Sequence, residues 1–339
     1  MDTKPIGILY EHPEWFIPLF AELDRRELPY ERILANAYSF DPSAPTVPYG
    51  LVVNRVSPSS YLRDHMSAIF QTQSYLAYLE AIGVPVINGT QPFALETSKA
   101  RQLTLLAGLG IPHPRSRIVN HTSKIKDAAR QLVYPLIIKP NIGGSGALMR
   151  RFEVADELES ALINGELDAI FGIDQSAVVQ EYHPPKGGSI VRVEALDDAF
   201  LYAIRIYNDP NEGFNLCPAD ICQIPEPSAS SAQSAADDFA FCPVETPAKT
   251  PKRIEVAEPP RWVIDDVLRI FRAAHVDIGG VEYLESERDG ATYLYDVNPI
   301  SNFVTDAPRL VGFDPFVRFV DSIERRAGLP NRQFARSTA

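Results

Sequence analysis

Residues 132–146, LVYPLIIKPNIGGSG, combine an apolar strand, a lysine and a glycine-rich loop. The apolar run 136–138 predicts a buried strand that ends at Lys139. Burying a charge at the end of such a strand is costly unless an anion meets it. The glycines of loop 143–146 lack a Cβ, so their N–H groups can approach an anion closely. The stretch therefore predicts a phosphate-binding site, although a glycine-rich hairpin loop without a ligand would show the same pattern.

This stretch matches neither of two common nucleotide-binding signatures. The GxxxxGK[ST] order of a P-loop is absent, and no GxGxxG sequence opens a helix. Phosphate binding would have to use a different arrangement of the same groups.

The amino-acid composition limits the classes of partner and the cellular location that this protein can have. The 339 residues predict two to three domains, and a hydrophobic content of 45% predicts a sizeable core. A net charge of −12 argues against nucleic acid or an anionic membrane as the main partner, so a polyphosphate would need local cations or a divalent metal. Three cysteines without a CxxC pair, no signal-peptide pattern and no membrane-spanning apolar run predict a cytoplasmic protein.

Alternating strands and helices predict a Rossmann-like α/β domain with a mostly parallel sheet over residues 1–92. We expect a central lobe at 93–183 and a C-terminal lobe at 184–330. Within the latter, residues 223–260 are rich in Ser, Ala and Pro, which indicates an exposed insertion or a flap that covers the substrate.

Four basic residues are candidates for binding or catalysis. Arg55 follows the third predicted strand, at the carboxyl end where ligands gather in open α/β sheets. Lys99 lies in the first turn of a predicted helix with Thr97 as its N-cap, where the helix dipole disfavours a cation unless an anion is near. Arg192 and Arg205 lie on two predicted antiparallel strands. For Arg55 and Lys99, a solvated surface side chain is the open alternative.

Residues 280–286 and 292–298 predict an antiparallel hairpin. A turn at 287–291 would place Glu282 opposite Asp296, with Asn298 on the same face and Tyr295 on the other, apolar face. Opposed carboxylates about 5 Å apart at Cβ repel each other, and a divalent cation removes that penalty. Carboxylate and amide oxygens suit Mg²⁺. The alternative is a solvated sheet face on which the pair is protonated or relaxed.

In this order and spacing, the motifs resemble those of the ATP-grasp superfamily of carboxylate–amine ligases, above all its ribosomal-protein glutamate ligase and glutathione synthetase branch. The matching segments are Lys99, IIKPNIGGSG, VVQEY at 178–182, the two strand arginines, and GVE…DVN at 280–298. The resemblance covers most of the chain outside 223–260. It implies an α/β and α+β chain: an ATP-grasp fold with an N-terminal Rossmann-like pre-ATP-grasp domain.

The resemblance also implies roles for individual residues. Those that would bind ATP are Lys99, Lys139, Gly143, Gly144, Ser145, Gly146, Gln180, Glu181 and Tyr182. Those that would hold one or two Mg²⁺ are Glu282, Asp296 and Asn298. Arg192 would stabilise the transferred phosphoryl group, with Arg205 in the same region, while Arg55 and Asn302 are assigned to substrate contacts. Ser98 and Ile190 stand where the family usually has aspartates, which leaves nucleotide choice and acceptor chemistry open.

The implied activity is ATP-dependent ligation. A substrate carboxylate would attack the γ-phosphate of ATP, which forms an acyl-phosphate and releases ADP. An amine would then displace phosphate from the acyl-phosphate to form an amide. The expected partners are small-molecule or peptide carboxylates and amines, with no nucleic acid and no membrane; a homo-oligomer is left open. The alternatives are an ATP-grasp kinase that phosphorylates a small molecule, and a non-catalytic ATP-binding module.

Overall fold

A computed structural model describes residues 4–12, 14–144, 146–207 and 253–329. Within these ranges the strands form three β-sheets, and helices cover their faces. The predicted Ser145 and most of the predicted insertion, 223–252, lie outside the described residues. None of the helices in the described ranges has the length and apolar character that crossing a membrane requires.

The first sheet is parallel and has the strand order β2-β1-β3-β4, which confirms the predicted parallel sheet. Its strands are β1 Ile6–Tyr10, β2 Tyr30–Leu34, β3 Leu51–Arg55 and β4 Val86–Ile87. Two helices, α1 Ile17–Arg25 and α2 Met66–Ala81, pack on it. A 3₁₀ helix at Pro58–Arg63 precedes α2 and ends at Asp64, whose backbone is in the left-handed region (φ 61°).

The second sheet is antiparallel, in the order β5-β8-β6-β7. Its strands are β5 Ser116–Val119, β6 Leu136–Pro140, β7 Arg150–Phe152 and β8 Ala177–Glu181. Helices α5 Ile125–Ala129 and α6 Ala155–Ile163 cover it, and their apolar side chains form one buried cluster with those of the strands. Strand β6 carries Lys139, as predicted, and ends one residue later, at Pro140.

The third sheet is also antiparallel, in the order β11-β10-β9-β12-β13. Its strands are β9 Ser189–Leu196, β10 Ala199–Tyr207, β11 Ile254–Val256, β12 Ile278–Glu285 and β13 Thr292–Asn298. Strand β11 falls inside the predicted insertion, where it pairs with β10 as an edge strand.

Five further helices connect and cover these sheets: α3 Thr90–Glu96, α4 Lys99–Gly108, α7 Arg261–Ala274, α8 Ala307–Val311 and α9 Pro315–Arg326. Helix α4 is capped by Ser98, whose Oγ accepts from the Arg101 N–H at 3.3 Å. The predicted cap, Thr97, instead donates its hydroxyl to the Phe93 carbonyl at 2.9 Å.

Two sets of polar contacts join the first sheet and its helix α1 to the C-terminal part of the chain. Arg26 at the end of α1 donates to Asp321 and Glu324 of α9 at 2.7 and 2.6 Å. Asn88, after β4, has a left-handed backbone (φ 54°), and its side-chain amide donates to the carbonyls of Ile278 and Pro299 at 2.8 and 2.6 Å. Since these two residues adjoin the ends of β12 and β13, Asn88 positions the hairpin that carries the predicted metal ligands.

Candidate active site

One cavity is lined by residues of the second and third sheets and by residues that follow strands of the first sheet. It brings together most of the residues predicted for the site: Lys99, Lys139, Gly143, Gly144, Gly146, Gln180, Glu181, Tyr182, Arg192, Glu282, Asp296, Asn298 and Asn302. These residues come from distant parts of the sequence, so their convergence is a property of the fold.

Lys139 is a buried basic residue of this cavity. It is 4% exposed, and its ammonium has no hydrogen-bond acceptor among the described residues. Burial, together with the positive charge of Lys99, lowers the pKa of Lys139 to about 7. A bound anion would remove this penalty, because an opposite charge favours the ionised form.

Lys99 differs from Lys139 because it has a partner. Its Nζ donates to Asp296 Oδ1 at 2.6 Å. Burial alone would lower the pKa of Lys99, but Asp296 and Glu282 raise it. Asn141, two residues after Lys139, accepts from the Ala100 N–H at 2.8 Å and so ties the start of α4 to the end of β6. This tie fixes the two lysines relative to each other.

The hairpin has the predicted pairing of Glu282 with Asp296. A bulge follows on β13, so that Tyr283 faces Leu294 instead of Tyr295. The prediction that Tyr295 belongs to the apolar face is therefore wrong: Tyr295 lines the cavity and donates to Glu282 Oε2 at 2.9 Å. Leu294 takes its place in the buried cluster of the opposite face.

The two hairpin carboxylates influence each other. Burial and the charge of Asp296 raise the pKa of Glu282. Burial would raise the pKa of Asp296 as well, but Lys99 and Lys139 lower it. Asp296 also accepts from Asn298 Nδ2 at 3.3 Å, which leaves the Asn298 amide oxygen for another contact. The pair thus carries negative charge in a buried place, which a cation would stabilise.

The donor set of this hairpin fits Mg²⁺. No group of three or more His, Cys, Asp or Glu side chains is arranged to hold a metal in the part of the chain that the structure describes. The hairpin offers two carboxylates and one amide oxygen. Mg²⁺ commonly takes one or two carboxylates and completes its shell with waters and substrate phosphates. A complete protein cage is therefore not required here.

Arg192 on β9 is buried and held on three sides. It donates to Glu194 Oε1 at 2.7 Å, to Glu282 Oε1 at 3.1 Å and to Ser301 Oγ at 2.6 Å. Burial works against its charge, but Glu194 and Glu282 raise the pKa of Arg192, so it remains a cation. Glu194 was missed in the sequence, although the two-residue period of a strand places it on the same face as Arg192.

No model of a known protein family matches the sequence. Among curated relatives, a probable alpha-L-glutamate ligase 2 of Shewanella frigidimarina is 29% identical over 147 residues, covering 43% of this chain and 48% of the relative. A probable alpha-L-glutamate ligase of Pseudomonas fluorescens is also 29% identical over 147 residues, covering 43% and 47%. The chain thus spans about half the length of the curated relatives it matches.

Solved structures match almost the whole chain. The ATP-grasp ligase PsnB, complexed with minimal precursor, Mg and ADP, has a TM-score of 0.62 at 20% identity, covering 96% of this chain and 98% of that one. The D-alanine–D-alanine ligase of Bacillus anthracis has a TM-score of 0.63 at 18% identity, covering 95% and 97%. The D-cycloserine synthetase DcsG has a TM-score of 0.64 at 15% identity, covering 95% and 99%.

This chain has the ATP-grasp fold. The ATP-grasp fold predicted from the motifs is confirmed. The cavity described above lies between the lobes of this ATP-grasp fold, with one wall from the first sheet.

Two arginines lie outside the cavity of the ATP-grasp fold, and their assignments are corrected. Arg205 pairs with Val191, so it lies on the face of the third sheet opposite to Arg192, and it donates to Ser189 Oγ at 3.1 Å. Arg55 is 2% exposed and donates to the Ser301 carbonyl, which places it behind the cavity wall. Burial lowers the pKa of Arg55 to about 10.

Gln180, Glu181 and Tyr182, which the resemblance assigns to ATP binding, line the cavity, but their side chains already have protein partners. Gln180 Nε2 donates to Ser116 Oγ at 2.8 Å, and Glu181 Oε1 accepts from the Val133 N–H at 2.9 Å. The Tyr182 ring lies under the Arg151 guanidinium, 4.2 Å from its Cζ. A base in this part of the cavity would therefore meet mainly apolar surface, to which other lining residues, Ile137 and Leu284, contribute.

Three residues that line the cavity were not identified as site residues from the sequence. Glu96, at the end of α3, accepts from the Ile300 N–H at 2.9 Å, and burial raises its pKa to about 7. Trp15 and Ser59 line the wall that belongs to the first sheet. Each of these residues reaches the cavity because separate parts of the fold pack together. A local sequence pattern does not predict such packing.

Proposed function

We propose that this chain is an ATP-dependent ligase that activates a substrate carboxylate as an acyl-phosphate and joins it to an amine, releasing ADP and phosphate. The observation that carries the proposal is the arrangement of three groups in one cavity: a buried Lys139 that has no hydrogen-bond acceptor in the described part of the chain, Lys99, and the opposed carboxylates of Glu282 and Asp296. Cations and chelating oxygens on facing walls suit a triphosphate with its metal.

Each part of the site has a role in this proposal. Lys139 and Lys99 bind phosphate oxygens, with loop 143–146 over them. Glu282, Asp296 and Asn298 hold Mg²⁺, which when bound neutralises charge on the phosphates. Arg192, fixed by its two carboxylate partners, directs N–H donors at the group being transferred. Catalysis then consists of positioning and charge neutralisation, and needs no side-chain nucleophile.

The names of the compared proteins support the substrate class. The curated relatives are named as probable alpha-L-glutamate ligases, and one PsnB structure contains a precursor peptide. We therefore propose small-molecule or peptide carboxylates and amines as substrates, with L-glutamate as the first amino acid to test. We also propose that the enzyme is cytoplasmic and keeps the domain boundaries at residues 92 and 183 that the sequence indicates.

The test is a screen for ADP release with pairs of amino acids, dipeptides and carboxylic acids, with hydroxylamine added to trap an acyl-phosphate. The double variant Asp296→Ala/Asn298→Ala should lower turnover by on the order of 100-fold or more while the fold is kept. Asp265→Ala on α7, which removes an exposed carboxylate paired with Arg261, is the control and should leave turnover unchanged. Full activity of the double variant would contradict the metal assignment.

The same screen separates the alternatives. A stable phosphoester as the product would indicate a kinase. Binding of Mg-ATP without ADP release across the whole panel would indicate a binding module. Only an amide product, or a hydroxamate formed with hydroxylamine, supports ligation.

A further inference from the structure

Glu96 is a carboxylate of the cavity to which the function proposed above gives no role. Four acidic side chains of the described residues line this cavity: Glu96, Glu181, Glu282 and Asp296. Glu282 and Asp296 are the proposed metal ligands. Glu181 Oε1 accepts from the Val133 N–H at 2.9 Å and from Arg115 Nη1 at 3.3 Å, which ties Glu181 to the protein around it. Glu96 is therefore the carboxylate whose role remains to be found.

Glu96 lies at the end of α3 and is held through one of its two oxygens. Oε2 accepts from the Ile300 N–H at 2.9 Å. Oε1 has no hydrogen-bond partner among the residues that the structure describes, and it does not belong to the buried side-chain atoms that lack one. In Glu282, by contrast, Arg192 donates to Oε1 and Tyr295 donates to Oε2. Glu96 thus presents one unpaired oxygen to a ligand in the cavity.

The cations near Glu96 belong to the proposed site of phosphoryl transfer. Ile300, which donates to Glu96, precedes Ser301, whose Oγ accepts from Arg192 at 2.6 Å. Lys99 begins the next helix, α4. Both Arg192 and Lys99 act on Glu96 electrostatically. In the proposed function these two cations bind the transferred group and the phosphates, so Glu96 lies beside the place where the acyl-phosphate would form.

Glu96 has the electrostatics of a group that exchanges a proton at neutral pH. Burial raises the pKa of Glu96 to about 7, and the negative charge of Asp296 acts in the same direction. The Ile300 N–H, Lys99 and Arg192 act against this rise in the pKa. A general base works best when its pKa lies near the working pH, because it is then ionised and still able to hold the proton that it takes.

The proposed reaction needs a group that accepts a proton. An aliphatic amine is mainly an ammonium ion at neutral pH, and it then has no lone pair for attack. Once a base has taken one proton, the nitrogen can form the C–N bond with the acyl carbon. The C–O bond to the phosphate then breaks, and the phosphate leaves with the electron pair and with the second proton that the nitrogen must lose. No oxidant, reductant or further reactant is involved.

Two other titratable groups of the cavity are less suited to this role. The pKa of Lys139 is also about 7, but a phosphate bound to its ammonium would keep it protonated. His183 follows Tyr182 in the segment that the resemblance assigns to ATP, and its Nδ1 lies 3.0 Å from Ser286 Oγ. Glu96 lies instead beside the groups proposed for phosphoryl transfer, where the amine has to arrive.

We propose that Glu96 is the general base of the ligase: Oε1 binds the ammonium group of the amine substrate and takes its proton before the nitrogen attacks the acyl-phosphate. This inference rests on the proposed ligase function. It adds a selection, since the amine is one that is protonated at neutral pH and needs a base before it can attack.

The test compares two nucleophiles on the same acyl-phosphate. Hydroxylamine is mainly uncharged at neutral pH, so it attacks without a base. The amines are the common L-amino acids and their carboxamides, and the acids are L-glutamate and the other common L-amino acids. In Glu96→Gln the side chain can still accept from the Ile300 N–H but cannot take a proton. We expect its amide formation at neutral pH to fall about 100-fold or more, with hydroxamate formation close to that of the wild type.

The dependence on pH gives a second readout. Below the pKa of the amine, its uncharged fraction grows about tenfold per pH unit, so the deficit of Glu96→Gln in amide formation should shrink as the pH rises. A purely structural role of Glu96 would give a deficit that persists at high pH and that affects both nucleophiles.

Two further variants complete the comparison. Glu96→Asp keeps a carboxylate on a shorter side chain and should form more amide than Glu96→Gln. If the Gln variant does not fold, Glu96→Asp tests the role by itself, with a lower ratio of amide to hydroxamate than the wild type as the expected result. Glu159→Gln is the matched control: Glu159 is exposed on α6, pairs with Lys126 and does not line the cavity. Both of its products should match those of the wild type.

Either of two results would overturn the inference. Unchanged amide formation in Glu96→Gln would show that Glu96 is not the base. An equal loss of amide and hydroxamate would assign Glu96 to metal or nucleotide binding. Failure of the ligase function looks different and removes both proposals, because the wild type would then release no ADP and form no hydroxamate with any acid of the panel.

Discussion

Replacing Lys139 by methionine should stabilise the protein without nucleotide and remove its response to nucleotide. Burial lowers the pKa of this lysine from 10.5 to about 7. That difference corresponds to about 5 kcal/mol of unfavourable charge burial, at about 1.4 kcal/mol per pKa unit. Methionine has a similar length and no charge, so the variant should gain a large part of this free energy at neutral pH.

The pH dependence of the gain has a definite sign. Between pH 7 and 10.5 the unfolded chain keeps a proton on Lys139 that the folded chain releases. The free energy of unfolding of the wild type therefore rises with pH over this window. The gain in the free energy of unfolding from Lys139→Met is therefore largest below about pH 7. It disappears as the pH approaches the pKa that Lys139 has in the unfolded chain.

Lys99→Met is the matched control, because it makes the same chemical change in the same cavity. Asp296 and Glu282 raise the pKa of Lys99, and its 2.6 Å bond to Asp296 would be lost. This variant should lose about 2 kcal/mol of stability, the usual size for a hydrogen bond between charged groups. The two lysines should therefore give effects of opposite sign.

The assay is urea unfolding followed by circular dichroism, with wild type and both variants at about pH 7 and about pH 10. A second series adds Mg-ATP, which should raise the stability of the wild type and leave that of both variants unchanged. The reasoning is refuted if Lys139→Met is less stable than the wild type at neutral pH without nucleotide and still gains stability from Mg-ATP.

Two further substitutions test how the site is held. Gly280→Ala would place a Cβ 2.7 Å from Glu194 Oε1, so it should cost about 1–3 kcal/mol of stability and lower turnover. Gly108→Ala would have no atom within 4 Å of the new Cβ. In chemical denaturation this second variant should be as stable as the wild type or more stable. Asn88→Gly keeps the left-handed backbone but removes the side-chain hydrogen bonds to both hairpin strands. It should therefore lower the free energy of unfolding by about 2–3 kcal/mol and raise the Mg²⁺ concentration needed for half-maximal turnover. A dependence of turnover on Mg²⁺ that matches the wild type would contradict the positioning role of Asn88.

Much of the fold was accessible from the sequence because its signals are local. Strand β6 with Lys139 and the glycine loop form one continuous stretch, and alternation of strands and helices predicted the parallel first sheet. The pairing of Glu282 with Asp296 was also accessible, since the length of the turn fixes the register of a hairpin up to the first irregularity.

Arg205 and Tyr295 lie on the opposite face of the third sheet from the one that their predicted roles require, and a β-bulge explains each case. The β9–β10 pairing shifts between Phe200 and Tyr202, and without that shift Arg205 would face Ile190 and share the side of Arg192. The hairpin shifts between Glu282 and Tyr283, which turns Tyr295 into the cavity. A bulge moves every later side chain of its strand to the other face, and no residue pattern in this sequence marks either bulge.

Other features depend on contacts between distant segments. Arg55 was predicted at the open end of a strand, but it is enclosed by Phe16 and Phe319, with its Cζ 5.3 and 5.6 Å from their ring centres. Phe319 belongs to α9, which returns from the end of the described chain to the first sheet. Trp15 reaches the cavity through the same assembly of domains. Local periodicity carries no information about such docking.

We propose that this cavity holds a triphosphate between its lysines and its hairpin. A crystal structure of the protein with Mg²⁺ and a non-hydrolysable ATP analogue tests this most directly. We expect phosphate oxygens within hydrogen-bond distance of Lys139, and a cation between those phosphates and the side chains of Glu282, Asp296 and Asn298. A nucleotide bound at any other place, with the Lys139 ammonium still lacking an acceptor, would contradict it.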